Sequence, residues 1–151
     1  MSKSERVILT ALCMVYKDDK ILLQDRVKKD WCGLTFPGGH VETNESFITA
    51  IIREIKEETG LTISNPQLCG IKQFPTEKGE RYIVLLFKTN EFQGNLTSSD
   101  EGKMQWFSKD ELVNLPVANG FWDTMKIYDD NLTELFYTHD KATDIWTTKY
   151  F

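Results

Sequence analysis

Short apolar runs alternate with polar breaks along this chain, mostly at strand length and in a few places at helical spacing. Val7 to Tyr16 and Ile21 to Val27 flank Lys17-Asp18-Asp19-Lys20, a pattern that predicts two strands paired as a β-hairpin. Leu61 to Phe74 predicts further strand, interrupted near Asn65-Pro66. Arg81 to Lys88, built on Tyr82-Ile83-Val84-Leu85-Leu86-Phe87, is apolar on both alternating faces and belongs in the middle of a sheet. Glu91 to Gly102 is polar and predicts a mobile loop. A helix from Lys109 to Asn114 follows, then Leu115-Pro116, a second helix from about Asn119 to Asp129, and closing strands over Leu132 to Tyr137 and Asp144 to Lys149. Neither a repeat nor a linker interrupts the pattern, so one domain over 1–151 is expected.

The stretch from Ser46 to Gly60 has the period of an amphipathic helix. Phe47, Ile48, Ile51, Ile52 and Ile55 form its apolar arc, Thr43 or Asn44 supplies an N-cap, and Gly60 is a C-terminal stop. Glu54, Glu57 and Glu58 lie three and four residues apart and therefore share one edge. Two carboxylates ~6 Å apart repel by roughly 2 to 3 kcal/mol at an effective dielectric of ~20. Arg53 relieves Glu57 at i,i+4, but one arginine does not neutralise three acids. Mg²⁺, which takes oxygen ligands and keeps waters and substrate phosphates in its shell, would. The competing reading of these residues alone is a solvated charged face.

Ahead of the helix, Trp31 to Glu42 contains Pro37-Gly38-Gly39, a side-chain-free bend. Gly39, Glu45, Arg53, Glu54, Glu57, Glu58 and Gly60 fill every fixed position of G-x5-E-x7-R-E-U-x-E-E-x-G-U, with Ile55 and Leu61 as the aliphatic U residues. A chance match is on the order of 10⁻⁸ per starting position at ordinary residue usage. This is the Nudix box, and the chain resembles the Nudix hydrolases without a departure inside it. The resemblance implies an α/β fold with a mixed β-sheet sandwiched between helices (α/β/α), a Mg²⁺ requirement with Mn²⁺ as a substitute, and cleavage of a nucleoside diphosphate linked to another group. It implies metal ligation by the Gly39 carbonyl with Glu54, Glu57 and Glu58, and orientation of a glutamate by Arg53. It also marks Glu101, in Asp100-Glu101-Gly102, as the loop carboxylate that reaches the metal cluster or takes a proton from the attacking water; a solvated loop acid is the alternative. Glu45 is read as a favourable charge at the helix N-terminus, and His40 as a surface residue beside the site.

Leu115-Pro116-Val117-Ala118-Asn119 is similar to the Pro-x-Ala-Asn segment of MutT-type family members, which act on 8-oxo-dGTP and read the purine with the asparagine. By that likeness Asn119 is a base reader; as a residue it is equally suited to cap the following helix. Phe36, Phe74, Phe121 and Trp122 are candidates to stack on the base, and Arg26, near Lys28-Lys29, to meet phosphate. The expected activity is hydrolysis of 8-oxo-dGTP to the monophosphate and pyrophosphate. Other nucleoside triphosphates, ADP-ribose and dinucleoside polyphosphates are the alternatives for a catalyst, and a non-catalytic nucleotide-binding Nudix module is the alternative from another functional class.

A formal net charge of -5 argues against a surface for long nucleic acid; a small nucleotide carried with a metal remains the expected partner. Cys13, Cys32 and Cys69 are odd in number and lack C-x-x-C spacing, which favours reduced thiols and the cytoplasm. Without an apolar run near 18 residues, no membrane helix is expected. Monomer and homodimer are both compatible with the sequence.

Overall fold

A computed structural model describes residues 3–151. The first two strands, β1 (Val7–Lys17) and β2 (Lys20–Arg26), are joined at Asp18-Asp19, with Asp18 in a left-handed conformation. They pair only over Tyr16↔Ile21 and Lys17↔Lys20 before separating, so the expected hairpin is confined to its turn. Both strands are buried on both faces and therefore need neighbours on each side. β2 pairs with β3 (Gly33–Thr35) and with β9 (Gly102–Ser108). β1 pairs antiparallel with β4 (Gly38–His40) and parallel with β7 (Arg81–Thr89), placing the apolar Arg81 run inside the sheet as expected. Beyond β7 lie β6 (Gln67–Pro75), β10 (Glu134–Asp140) and the edge strand β11 (Ile145–Tyr150).

Helices cover both faces, as the α/β/α expectation required. The alternation of β1 divides two cores between them. Ala11, Cys13 and Val15 pack with Leu85 and Phe87 against Ile51 and Ile55 of α1 (Phe47–Thr59). Met14 packs with Val84 and Leu86 against Phe121, Met125, Ile127 and Tyr128 of α3 (Phe121–Asp129), joined by Leu112 of α2 (Lys109–Leu112). Ile51 and Ile55 are fully buried, and each such side chain contributes roughly 1.5–3 kcal/mol of transfer free energy.

Several boundaries differ from the sequence reading. Ser46, not Thr43 or Asn44, caps α1 by accepting from the Thr49 N–H; Asn44 instead takes a left-handed turn position. The later start leaves Phe47 and Ile48 on the first turn, and both are exposed. Gly60 closes the helix in the left-handed conformation, as expected. Part of the polar 91–102 segment is strand, β8 (Glu91–Gln93), because β5 (Thr62–Ser64) offers it an edge. The N-cap of α3 is Gly120, so Asn119 lies one residue outside the helix and does not cap it. Among the described residues, no helix is long and apolar enough to cross a membrane, and all three cysteines are free.

Candidate active site

The glycines before α1 set the geometry. β4 is held against β1 at Leu12↔Gly38, Ala11↔Gly39 and Thr10↔His40. A Cβ on Gly39 would stand 2.4 Å from Oε2 of Glu54, so only glycine lets that carboxylate lie against the backbone. One residue earlier, the Gly38 N–H donates to Oε2 of Glu58 at 3.2 Å. The strand thus presents bare peptide to two carboxylates from successive turns of one helix.

Arg53 is the hub of the acidic strip. Its Nε and Nη2 form a fork on Glu45 at 2.7 and 2.9 Å, its Nη1 reaches Glu54 at 2.9 Å and Glu57 at 3.3 Å, and Nη2 also donates to the His40 carbonyl at 3.0 Å. The hydrogen bonds from Arg53 hold the Glu45 carboxyl down at about 2, and Glu45 in turn raises the guanidinium above even the usual arginine range. Glu45 is therefore the anchor of Arg53 more than a charge for the helix terminus. His40 contributes its carbonyl; its side chain is exposed.

Glu58 has the opposite environment. It is 8% exposed, and burial, then a shared hydrogen bond with Glu101, pushes its carboxyl up to about 8 despite the Gly38 N–H. Glu101 is lowered by the same bond and by Lys28, whose Nζ lies 3.5 Å away. Two carboxyls in hydrogen-bond contact retain a proton between them more readily than either would alone. Burial also raises Glu54, outweighing Arg53. The structure therefore brings Glu54, Glu58, Glu101 and Gly39 together, while Glu57 sits at the rim with its side chain 59% exposed.

Among the described residues, no three His, Cys, Asp or Glu side chains converge as a ready cation cage. Arg53 engages Glu54 and Glu57, and the Gly38 N–H engages Glu58. The donor set nevertheless fits a hard divalent cation: it is all oxygen, and its buried carboxylates repel one another where a cation would compensate them.

Away from the carboxylates, Leu34 of β3 bonds to the 116–118 segment through its N–H to the Pro116 carbonyl and its carbonyl to the Ala118 N–H. This docks exposed Asn119 beside Trp31, whose indole N–H donates to the Asn119 carbonyl at 3.3 Å. Arg26 donates to the Trp31 carbonyl and lies over its ring. Phe36 lies in the core. It is 2% exposed and stacked on Phe121 at 5.0 Å, so packing consumes the faces it would need for a base. Phe121 is equally buried; Trp122 is exposed and meets Phe121 edge-on. Phe74 is half-buried and stacked on Tyr82 at 4.7 Å. Trp31 escaped the sequence reading; its only signal was an aromatic residue in the loop before the glycines.

The sequence matches the NUDIX domain family over residues 7–128. The chain belongs to the Nudix hydrolase family. It is 37% identical over 113 residues to the Nudix hydrolase YvcI of Bacillus subtilis, covering 72% of this chain and 70% of the relative. It is 35% identical over 105 residues to an ADP-ribose pyrophosphatase of Methanocaldococcus jannaschii, covering 68% of this chain and 61% of that protein. The crystal structure of a MutT protein from Bacillus halodurans superposes with a TM-score of 0.77 at 28% identity, covering 95% of this chain and 97% of that one. Nudix hydrolases generally use divalent metal ions, which agrees with the oxygen-donor character of this site.

Proposed function

We propose that this Nudix hydrolase cuts a nucleoside triphosphate between its α and β phosphoryl groups, releasing a monophosphate and pyrophosphate, with 8-oxo-dGTP as the preferred substrate. The observation that carries the chemistry is the meeting of Glu54, Glu58 and Glu101 with the bare Gly38-Gly39 backbone. Glu54, Glu57, Glu58 and the Gly39 carbonyl are the groups that would hold Mg²⁺, or Mn²⁺ in its place. When bound, such an ion neutralises phosphoryl charge and acidifies a coordinated water.

The chain's own residues do the rest. Arg53, fixed by Glu45, holds the Glu54 and Glu57 carboxylates in register. Glu101 and Glu58 form a carboxyl pair able to take the proton of the attacking water as the P–O bridge breaks and the pyrophosphate oxygen leaves with its electron pair. Lys28 and Arg26 supply positive charge beside Glu101, suited to phosphate. Asn119, outside the helix and exposed, has an amide free to pair with a purine edge.

The similarity to the B. halodurans MutT protein and the docked Leu115–Asn119 segment support a triphosphate. The relative from M. jannaschii favours a second reading, ADP-ribose, in which the same carboxylates cut the central pyrophosphate. The deciding experiment compares kcat/KM for 8-oxo-dGTP, dGTP and ADP-ribose with Mg²⁺, on wild type and Asn119→Ala. Pyrophosphate release with a preference for 8-oxo-dGTP that collapses in Asn119→Ala supports the proposal. AMP release from ADP-ribose as the dominant activity, unaffected by Asn119→Ala, overturns it.

A further inference from the structure

Lys72 stands out among the charged residues. It lies on β6 in the alternating set Gly70, Lys72 and Phe74, which faces α3: a Cβ on Gly70 would stand 2.7 Å from Cγ2 of Ile127. Its stem is half-buried, and its ammonium lies 5.5 Å from the centre of the Tyr137 ring. A Cβ on Gly120 would come within 3.2 Å of Nζ, so the ammonium sits directly under the residue that follows Asn119.

This cation's partners among the described residues are the Tyr137 ring and the charge of Asp123. Among the described residues none of its three donors meets an acceptor. The carboxylate whose charge acts on it, Asp123, is already engaged, since the hydroxyls of both Tyr137 and Tyr150 donate to it. Burial, and then those bonds, raise both phenols, Tyr150 to about 12, so they stay protonated as donors to Asp123. Burial likewise lowers Lys72 from the ordinary lysine range, and the attraction of Asp123 only partly opposes it. The ammonium is not sealed from solvent, so a polar group of a bound ligand is able to reach it.

Strand register relates Lys72 to the glycine strand. Lys72 is opposite Val84, Val84 opposite Thr10, and Thr10 opposite His40. Partners in register point to the same face of the sheet. Lys72 is therefore three strand spacings, ~14 Å, along one row from His40, whose neighbour is Gly39. Gly39 itself faces α1, so a nucleotide with its phosphates there would pass the β4 edge at His40 to bring its base along this row toward Lys72. Phe74, two residues on along the same face and stacked on Tyr82, makes that end apolar and aromatic, an environment for a ring and not for a phosphate.

We propose that Lys72 is a specificity-determining residue that donates to a ring carbonyl of the bound base, selecting guanine-type bases over adenine. This rests on the nucleotide reading above and narrows it. A lysine only donates. Guanine presents two acceptors, O6 and N7, on one edge, whereas adenine places an amino donor where O6 would be. The Asn119 amide, one residue from the glycine over Lys72, is placed to complete the recognition.

The test is calorimetric binding of dGMP and dAMP to wild type, Lys72→Met and Lys72→Arg, with thermal melting of each variant as the folding control. Pyrophosphate release from dGTP and dATP is followed in parallel. Wild type is expected to favour dGMP by roughly 10- to 100-fold, the range of one well-made base contact. That ratio should approach unity in Lys72→Met and be partly retained in Lys72→Arg. Equal loss for both nucleotides in Lys72→Met would place the lysine on phosphate and overturn the proposal, as would a wild type that does not discriminate. Failure of the wild type to release pyrophosphate from any triphosphate would sink the functional reading alone, because the monophosphate ratio reports on Lys72 without turnover.

Discussion

Arg53 closes a two-point fork on Glu45, eight residues earlier in the chain, through Nε–Oε2 at 2.7 Å and Nη2–Oε1 at 2.9 Å. The fork leaves Nη1 aimed at Glu54 and Glu57, so Glu45 positions the carboxylates while touching neither. Glu45→Gln should therefore lower kcat by roughly 10- to 100-fold with little change in KM, the pattern of a lost positioning interaction and not of lost binding.

The same substitution makes a pH prediction. The Glu45 carboxyl is lower in the folded chain, at about 2, than its ordinary value of 4.5. A depressed carboxyl stabilises the fold above its unfolded pKa, and that contribution is lost as the pH falls through the folded one. Wild type should melt higher than Glu45→Gln at pH 7, and the gap should narrow between about pH 4.5 and about pH 2. Thermal melts at stepped pH measure this directly. A gap independent of pH would assign the difference to packing.

Gly39→Ala tests the bare backbone. The new methyl would overlap the Glu54 carboxylate at 2.4 Å, and the far end of a flexible side chain is what must give way. Glu54 should swing off β4, so activity should drop by at least ~100-fold, a loss on the scale that misplacement of a positioning group produces. The far-UV circular dichroism spectrum should stay that of the wild type. A variant with wild-type turnover would show that Glu54 does not need this contact.

Much of this architecture was legible because local chemistry and long-range packing agreed. The Gly39-to-Leu61 spacing located the helix, its Gly60 stop and the acidic strip, and the apolar 81–88 run located a central strand. Boundaries failed where a neighbour decided the outcome. Ser46 outcompeted Thr43 and Asn44 for the cap, and Glu91–Gln93 became strand because β5 offered it an edge. Side-chain availability was the least legible property. Phe36 and Phe74 are alike as residues, yet one is locked between Phe121 and Tyr128 and the other is half-buried and stacked on Tyr82. Lys72 carries no sequence signal of its own, because the two tyrosines that claim Asp123 lie far along the chain.

Glu58 and the metal pull against each other in a measurable way. A carboxylate this buried, beside Glu101 and Glu54, destabilises the metal-free fold. Glu58→Gln should raise the melting temperature of protein treated with chelator while abolishing metal-dependent turnover. Mg²⁺ at a hundredfold excess over its dissociation constant should stabilise wild type by about 2.7 kcal/mol. That is roughly 5–10 °C for a domain of this size. In Glu58→Gln the metal-induced rise should shrink or vanish. An undiminished rise would remove Glu58 from the ligand set.

Phe36 and Asn119 should separate stability from specificity. Phe36 is 2% exposed and packed on two aromatic rings, so Phe36→Ala should cost about 3–5 kcal/mol of stability, as for other buried aromatics. At a temperature where it remains folded, its preference among 8-oxo-dGTP, dGTP and ADP-ribose should match that of wild type. Asn119→Ala should do the reverse. Asn119 is exposed, lies outside α3, and holds Trp31 through its backbone carbonyl, which the substitution keeps. Its melting temperature should stay within about 0.5 kcal/mol of wild type in stability terms, as for an ordinary surface change. Its kcat/KM for the preferred purine should fall by roughly 10-fold or more, the value of a lost base contact. If Phe36→Ala shifted substrate preference while Asn119→Ala left it intact, the base would bind against the buried aromatic core, and the cleft beside Trp31 would lose its assigned role.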